Sequence, residues 1–334
     1  MKAIALVSGG LDSILAAKLV KELGIEVIPL HFTIPFCHRA KKDASSTRSL
    51  PKFILDNLGV ELKEIGIKDT YLEIIKKPAH GFGSNMNPCI DCKILMLKHV
   101  KELMKELDAG FVITGEVLGQ RPMSQHRQAL SIIAKKSGLE GLVLRPLSAQ
   151  LLDETIPEKE GWVSRDKLLN FGGRGRLEQV KLAGVLGIKD FAQPAGGCLL
   201  TDPEFAKRLK ELIDHGELDL DNIELLKVGR HLRLAQNAKL VVGRNEGENE
   251  ELMDLAKDGD HLFMPNDEMA GPTSLGRGVF SDELIKLSCA ITFRYCDINS
   301  SGKNDIIWHR KGGENKSSLN VPFAKDAEFA GFRI

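Results

Sequence analysis

The sequence predicts an α/β protein: a doubly wound parallel sheet followed by a smaller α+β domain. Three observations carry this. The chain opens on an apolar run that breaks into a glycine turn and resumes with helical spacing. Strand-like and helix-like segments then alternate as far as Gly115, and beyond Cys198 the pattern changes to a leading helix and short strands.

A chain of 334 residues is long for one core, so more than one domain is expected. Hydrophobic content of 43% suits a soluble globular protein, and a formal net charge of zero restricts any nucleic-acid surface to a local patch. No stretch is long and apolar enough to span a membrane, and Met1 runs straight into the first strand without a signal peptide. The expectation is a cytoplasmic protein, whose six cysteines read as ligands, nucleophiles or core residues rather than disulfides.

Residues 3–7 form the first apolar strand and residues 14–20 the first helix. Between them lies Ser8-Gly9-Gly10-Leu11-Asp12-Ser13. Gly9 and Gly10 let backbone N–H groups approach a ligand, Ser8 and Ser13 add hydroxyls, and the helix points its positive end at the same spot, which makes a phosphate cradle. Asp12 would repel bare phosphate, so it either caps the helix or helps hold a magnesium ion.

Residues 26–32 read as a second strand, followed by a polar segment at 37–42 that includes Cys37. A helix over 47–58, a strand over 61–67, an amphipathic helix over 92–107 and an apolar strand over 110–115 complete the alternation. In such sheets ligands sit off the carboxyl ends of the strands, where both the SGGLDS turn and Thr114-Gly115-Glu116 fall. Past Cys198, Asp202-Pro203-Glu204 starts a helix that runs to Asp214. Short strands are expected at 225–234, 239–243, 261–263 and 291–295, helices at 249–257 and 282–287, and a mobile loop at 300–304. The expected domains are 1–205 and 221–334, joined by a linker over 206–220.

Three cysteines stand in loop-like settings: Cys89 and Cys92 in Asn87-Pro88-Cys89-Ile90-Asp91-Cys92, and Cys198 behind Gly196 and Gly197. The C-x-x-C opens a helix, whose N-terminus is expected to lower thiol pKa and make thiolates available for attack or for metal. The choices are a structural zinc site, a redox pair with a bystander, or a 4Fe-4S cluster with one vacant corner. Cys289 and Cys296, flanked by apolar residues read as strand, are expected to be ordinary buried cysteines.

With these pieces placed, the first ~200 residues resemble the tRNA thiouridine synthetases, PP-loop ATP pyrophosphatases of HUP-like fold. The motifs occur in order: SGGLDS, the NPCIDC segment, Thr114-Gly115-Glu116-Val117-Leu118-Gly119-Gln120, Leu144-Arg145-Pro146-Leu147, and Cys198. The T-G-E-x-L-G-Q string resembles 4-thiouridine synthetases more than 2-thiouridylases. The N-terminal ferredoxin-like and THUMP domains of those relatives have no counterpart before residue 2. Residues 228–275 instead resemble the RNA-binding domain of the NFACT family, through the strings at 228–234, 239–249 and 271–273.

The resemblance implies ATP-dependent tRNA thiolation: a uridine carbonyl oxygen is adenylated, pyrophosphate leaves, and sulfur then expels AMP, with 4-thiouridine as the favoured product. It implies that Ser8, Gly9, Gly10, Leu11, Asp12 and Ser13 bind ATP and organise Mg2+, that Phe32 and Gly115 line the adenosine, and that Gln120 contributes there unless, like Glu116, it only stabilises a turn. Cys89, Cys92 and Cys198 would hold a 4Fe-4S cluster, the alternatives being zinc, or no metal and a persulfide on Cys198 or Cys89. Implied partners are tRNA, a sulfur donor (a cysteine desulfurase or free sulfide) and a second copy of the chain. Candidate RNA contacts are Arg121, His126, Arg127, Arg174 and Arg176 in the first domain and Arg230, Arg233, Lys239 and Arg244 in the second. Two other readings compete: a PP-loop enzyme acting on another acceptor, and a non-enzymatic ATP- and RNA-binding factor whose cysteines hold structural zinc.

Overall fold

The computed structural model describes residues 1–36, 49–189, 191, 198–297, 305–322 and 324–334. Cys37 with the polar segment at 37–42, the glycines at 196 and 197, and the loop expected at 300–304 lie outside the described residues. The chain divides into two units, Met1–Thr201 and Asp202–Ile334. The stretch 206–220, expected as a linker, therefore lies inside the second unit, and most of it is helix.

In the first unit the elements run β1 (Lys2–Leu6), α1 (Leu11–Glu22), β2 (Glu26–Thr33), α2 (Leu50–Leu58), β3 (Lys63–Gly66), α3 (Lys68–Lys76), α4 (Cys89–Glu106), β4 (Phe111–Thr114), α5 (Arg127–Lys136), β5 (Val143–Leu144), α6 (Ile156–Lys159) and α7 (Leu177–Val185). The five strands form a parallel sheet of order β3-β2-β1-β4-β5. Alternation decides the layers. Ala3, Ala5, Val27, Phe111 and Ile113 share a core with α1, α2 and α7, while α4 packs against both α3 and α5. β1 lies between β2 and β4, so the chain winds outward from it in both directions. The loop after β1 thus sits where the strand order reverses, the ligand-binding position of a doubly wound sheet.

The second unit runs α8 (Pro203–Asp214), α9 (Leu220–Leu226), β6 (Arg230–Ala235), β7 (Ala238–Val242), α10 (Glu246–Leu255), β8 (His261–Pro265), β9 (Ser274–Gly278), α11 (Asp282–Arg294), β10 (Asp305–Arg310), β11 (Lys316–Asn320) and α12 (Asp326–Phe329). Its six strands form an antiparallel sheet of order β11-β10-β8-β9-β7-β6. One face (Leu240, Val242, Phe263) packs on α11, and the other (Val241, Leu262, Leu275) on α9 and α10.

Two expectations are corrected here. Residues 225–234 are not one strand, because α9 continues to Leu226 and β6 begins only at Arg230. Residues 291–295 belong to α11 and its C-terminal end rather than to a strand. The run Ile291-Thr292-Phe293 is β-prone by composition, but Ile285, Ser288, Cys289 and Thr292 recur at helical spacing on the buried face, and that packing overrides local propensity. Cys289 and Cys296 are buried in this core, in helical rather than strand surroundings.

Candidate functional site

The SGGLDS turn is folded by its own polar groups. Gly9 has φ +78, a conformation that favours glycine. The Ser8 N–H donates to Ser13 Oγ at 3.2 Å, and that hydroxyl donates to Gly10 O at 2.8 Å. Gly10 is the N-cap of α1 and no side chain caps the helix, so Asp12 does not act as a cap. The Asp12 carboxylate is held by other parts of the unit. Gln179 Nε2 donates to Gln120 Oε1 at 3.2 Å, Gln120 Nε2 donates to Asp12 Oδ2 at 2.7 Å, and Arg176 Nη2 stands 3.6 Å from the same oxygen. Asp12 Oδ1 is buried and has no partner, the state expected of an oxygen reserved for a cation or a ligand proton.

Beside this turn is a cavity of about 380 Å³. Ser8, Gly10, Leu11, Asp12 and Ser13 form one wall, Thr114, Gly115 and Glu116 another, and Cys89, Cys92 and Cys198 face it as well. The C-x-x-C pair, the distant Cys198 and the glycine turn therefore share one space. All five described cysteines are free of disulfides. Cys89 Sγ donates to Asn87 Oδ1 at 3.2 Å and Cys198 Sγ to Phe36 O at 3.5 Å. Among the described residues no three His, Cys, Asp or Glu side chains are gathered as a site for a metal ion.

The cavity wall also contains Tyr71 and Lys93, which the motifs do not name. The Tyr71 hydroxyl hydrogen-bonds Cys92 and, being buried, titrates well above its ordinary range. The expectation of a readily available thiolate at Cys92 is corrected: burial pushes this thiol up to about 12, the neighbouring Cys89 and Cys198 push the same way, and the Tyr71 hydrogen bond only partly opposes them.

Glu116 is 7% exposed and makes ion pairs with Lys93 and with Arg145 Nε, the latter at 2.9 Å. Burial alone would raise its pKa, but the two cations outweigh it and hold the carboxyl at about 2. Glu116, just past the end of β4, thus fixes Lys93 of α4 at the cavity wall. Lys93 was legible only as the neighbour of the C-x-x-C, and Arg145 as a member of the LRPL segment with no role attached to it.

Other expected site residues are placed differently. Phe32 is buried with its ring 6.2 Å from His99, and Ile34, just past the end of β2, lines the cavity. Gly115 lines the cavity and also packs on the glycine turn, since a Cβ there would stand 2.5 Å from the Asp12 and Ser13 backbone. Arg121 and Arg176 line the cavity, Arg174 is exposed, and exposed Arg127 donates to Leu151 O. His126 caps α5 by accepting from Ala129 N at 3.3 Å. In the second unit Arg233 forks onto Glu217 at 2.7 Å and Glu211 at 2.5 Å, and buried Lys239 pairs with Glu211 at 3.3 Å, so both serve an internal ion network rather than an outward contact. Arg230 and Arg244 border a shared cavity.

Residues 1–156 match the family model of the thiamine biosynthesis protein ThiI, and residues 229–333 match that of the NFACT protein RNA binding domain. The chain is similar to a probable tRNA sulfurtransferase of Thermococcus kodakarensis, 32% identical over 150 residues that make up 44% of this chain and 36% of that protein. A probable tRNA sulfurtransferase of Methanosarcina mazei is 25% identical over 244 residues, 70% of this chain and 52% of that protein. The chain thus spans about a third to a half of the length of these relatives. Among solved structures, a 4-thiouridine synthetase in complex with RNA and bound ATP aligns at 18% identity and TM-score 0.37, over 68% of this chain and 52% of that one. No helix among the described residues is long and apolar enough to cross a membrane. The match to the ThiI family model thus falls within the first unit, and the match to the NFACT RNA binding domain model within the second.

Proposed function

We propose that this protein is an ATP-dependent tRNA sulfurtransferase that converts a uridine to 4-thiouridine. The observation that supports this best is the single cavity shared by the SGGLDS turn and the thiols of Cys89, Cys92 and Cys198. An enzyme that both activates a base and delivers sulfur needs its phosphate cradle and its sulfur carrier within reach of one reacting carbon.

A carbonyl oxygen is a poor leaving group until it is esterified. In the proposed reaction the uridine oxygen attacks the α-phosphorus of ATP, the bond to the β-phosphate oxygen breaks, and pyrophosphate leaves with that electron pair. The backbone N–H groups of the glycine turn and the N-terminus of α1 receive the pyrophosphate charge. Lys93 and Arg176 stand at the cavity wall as further cations. Asp12, with one oxygen held by Gln120 and the other unpartnered, is the group that would hold Mg2+. Sulfur then adds to the activated carbon and AMP departs with the former carbonyl oxygen.

Three soft sulfur donors on one cavity suit a 4Fe-4S ligand set better than a closed zinc site, which takes a fourth protein ligand. When bound, such a cluster supplies one iron corner open to incoming sulfur. The chain's part is to hold the three thiols at the base-activating cavity, with Tyr71 orienting Cys92.

The test is anaerobic purification with iron, acid-labile sulfide and zinc analysis of the wild type and of Cys89→Ala, Cys92→Ala and Cys198→Ala, followed by nucleoside mass spectrometry of tRNA incubated with ATP and sulfide. The expected result is about four irons and four sulfides per chain, lost in each variant, and ATP-dependent 4-thiouridine lost with them. A Cys198-linked persulfide or disulfide without iron would move the sulfur to cysteine. Zinc alone, with no pyrophosphate release in the presence of tRNA, would overturn the enzymatic reading.

A further inference from the structure

At the β6 edge of the second unit's sheet lies a cavity of about 410 Å³, lined among others by Arg208, Arg230, His231, Arg244 and Tyr295. Arg230 lies over the Tyr295 ring, with its guanidinium carbon 4.7 Å from the centroid, and donates from Nη1 to Gly243 O at 3.0 Å. Arg208 donates from Nε to Glu204 O at 3.1 Å. These contacts leave further N–H groups on both guanidinium forks, and neither arginine forms an ion pair among the described residues. Arg244 is exposed and paired with Glu248 at 3.6 Å, an i,i+4 surface pair worth little. Burial disfavours the Arg208 cation and so does the Arg244 charge, an opposition that Asp202, Glu204 and Glu248 offset in part. Like charges held together in this way favour an anion between them.

The same wall contains an unpartnered acceptor. His231 is 4% exposed; its Nε2 is 2.8 Å from Val228 O, while Nδ1 is buried and has no partner. Burial and the nearby Lys239, Arg208 and Arg244 charges keep the ring neutral. With Nε2–H donating to the carbonyl, Nδ1 presents a lone pair, which a hydroxyl can satisfy and a phosphate oxygen cannot. Cationic forks beside a lone acceptor match a ribose joined to a phosphate better than a bare anion or an acidic peptide.

We propose that this cavity holds the sugar–phosphate backbone of the RNA, with Arg208, Arg230 and Arg244 on phosphate and His231 Nδ1 accepting from a ribose hydroxyl. The inference rests on the reading that RNA is this protein's substrate, and it gives the second unit a defined place to grip.

The test is the affinity of the full chain for an unmodified tRNA transcript, followed by fluorescence anisotropy across a salt series. Arg208→Gln, Arg230→Gln and Arg244→Gln are each expected to weaken binding about tenfold and to lower the slope of log affinity against log salt by about one. Arg244→Gln changes an exposed side chain and keeps the test valid if another variant misfolds. Lys316→Gln, an exposed charge on the opposite edge strand, is expected to leave the slope unchanged. The wild type should prefer RNA to DNA of the same sequence, and His231→Leu should narrow that preference. Wild-type slopes in the three arginine variants, an equal loss in Lys316→Gln, or no RNA binding by the wild type would overturn the proposal. Failure to form thiouridine with the slopes altered as expected would overturn the sulfurtransferase reading and leave the cavity assignment standing.

Discussion

Glu116 shows how one residue joins stability to the site. It is a buried carboxylate compensated by Lys93 and Arg145, so removing its charge strands two cations in a poorly solvated place. Glu116→Gln should destabilise the first unit by about 3 kcal/mol, measured as a shift in denaturant midpoint at neutral pH. The sign of the pH dependence follows from the depressed pKa. The stabilisation is fully present above the ordinary value of 4.5 and is lost as pH falls through the folded value of about 2. The gap between wild type and Glu116→Gln should therefore narrow between about pH 4.5 and pH 2. A gap that stays constant over that window would show that Glu116 is not charged in the folded state. Asp12 is the complementary case: Gln179 and Gln120 fix one oxygen and leave the other available, which costs stability unless something binds there.

Among the elements, the close approach of two loops matters most. β4 ends at Thr114, and Gly115 brings the chain against the turn that starts α1. With a would-be Cβ 2.5 Å from the backbone of Asp12 and Ser13, neither wall can yield without moving the glycine turn. Gly115→Ala is expected to leave the sheet intact and to weaken ATP binding at least about tenfold, as overpacking of this kind costs on the order of 1–3 kcal/mol. Isothermal titration with ATP, beside an unchanged far-UV spectrum, checks it. α4 has an equally local role, since its first turn presents Cys89, Cys92 and Lys93 to the cavity while buried Asp91 accepts from His80 N at 3.0 Å and pairs with His80 Nδ1 at 2.8 Å.

At the scale of the whole molecule, each unit has a core of its own. The second closes its sheet on both faces, around Phe263 with α11 and around Val241 with α9 and α10. A fragment spanning 202–334 is expected to fold by itself and to unfold cooperatively, as a calorimetric melt would show; a broad, non-cooperative melt would mean that it borrows stability from the first unit.

The alternation of short apolar runs with amphipathic segments determined the parallel sheet, and the string SGGLDS determined the glycine turn between β1 and α1, because strand, glycine turn and helix are contiguous and their geometry is local. Contiguity also explains why α8 was legible from Asp202-Pro203 onward, whereas the end of α11 was not: Ile291-Thr292-Phe293 favours a strand by itself and is helical only because its buried face packs on a sheet formed elsewhere. The cavity needed the tertiary structure for the same reason. Cys198 lies far along the chain from Cys89, and Lys93 on α4 reaches Glu116 beyond the end of β4, so that these side chains meet only once the chain is folded. Charge was the least legible feature. A run of arginines in sequence does not reveal that Arg233 is neutralised by Glu211 and Glu217 while Arg208 and Arg230 are left to face a cavity, since electrostatic pairing depends on distances that only the folded chain sets.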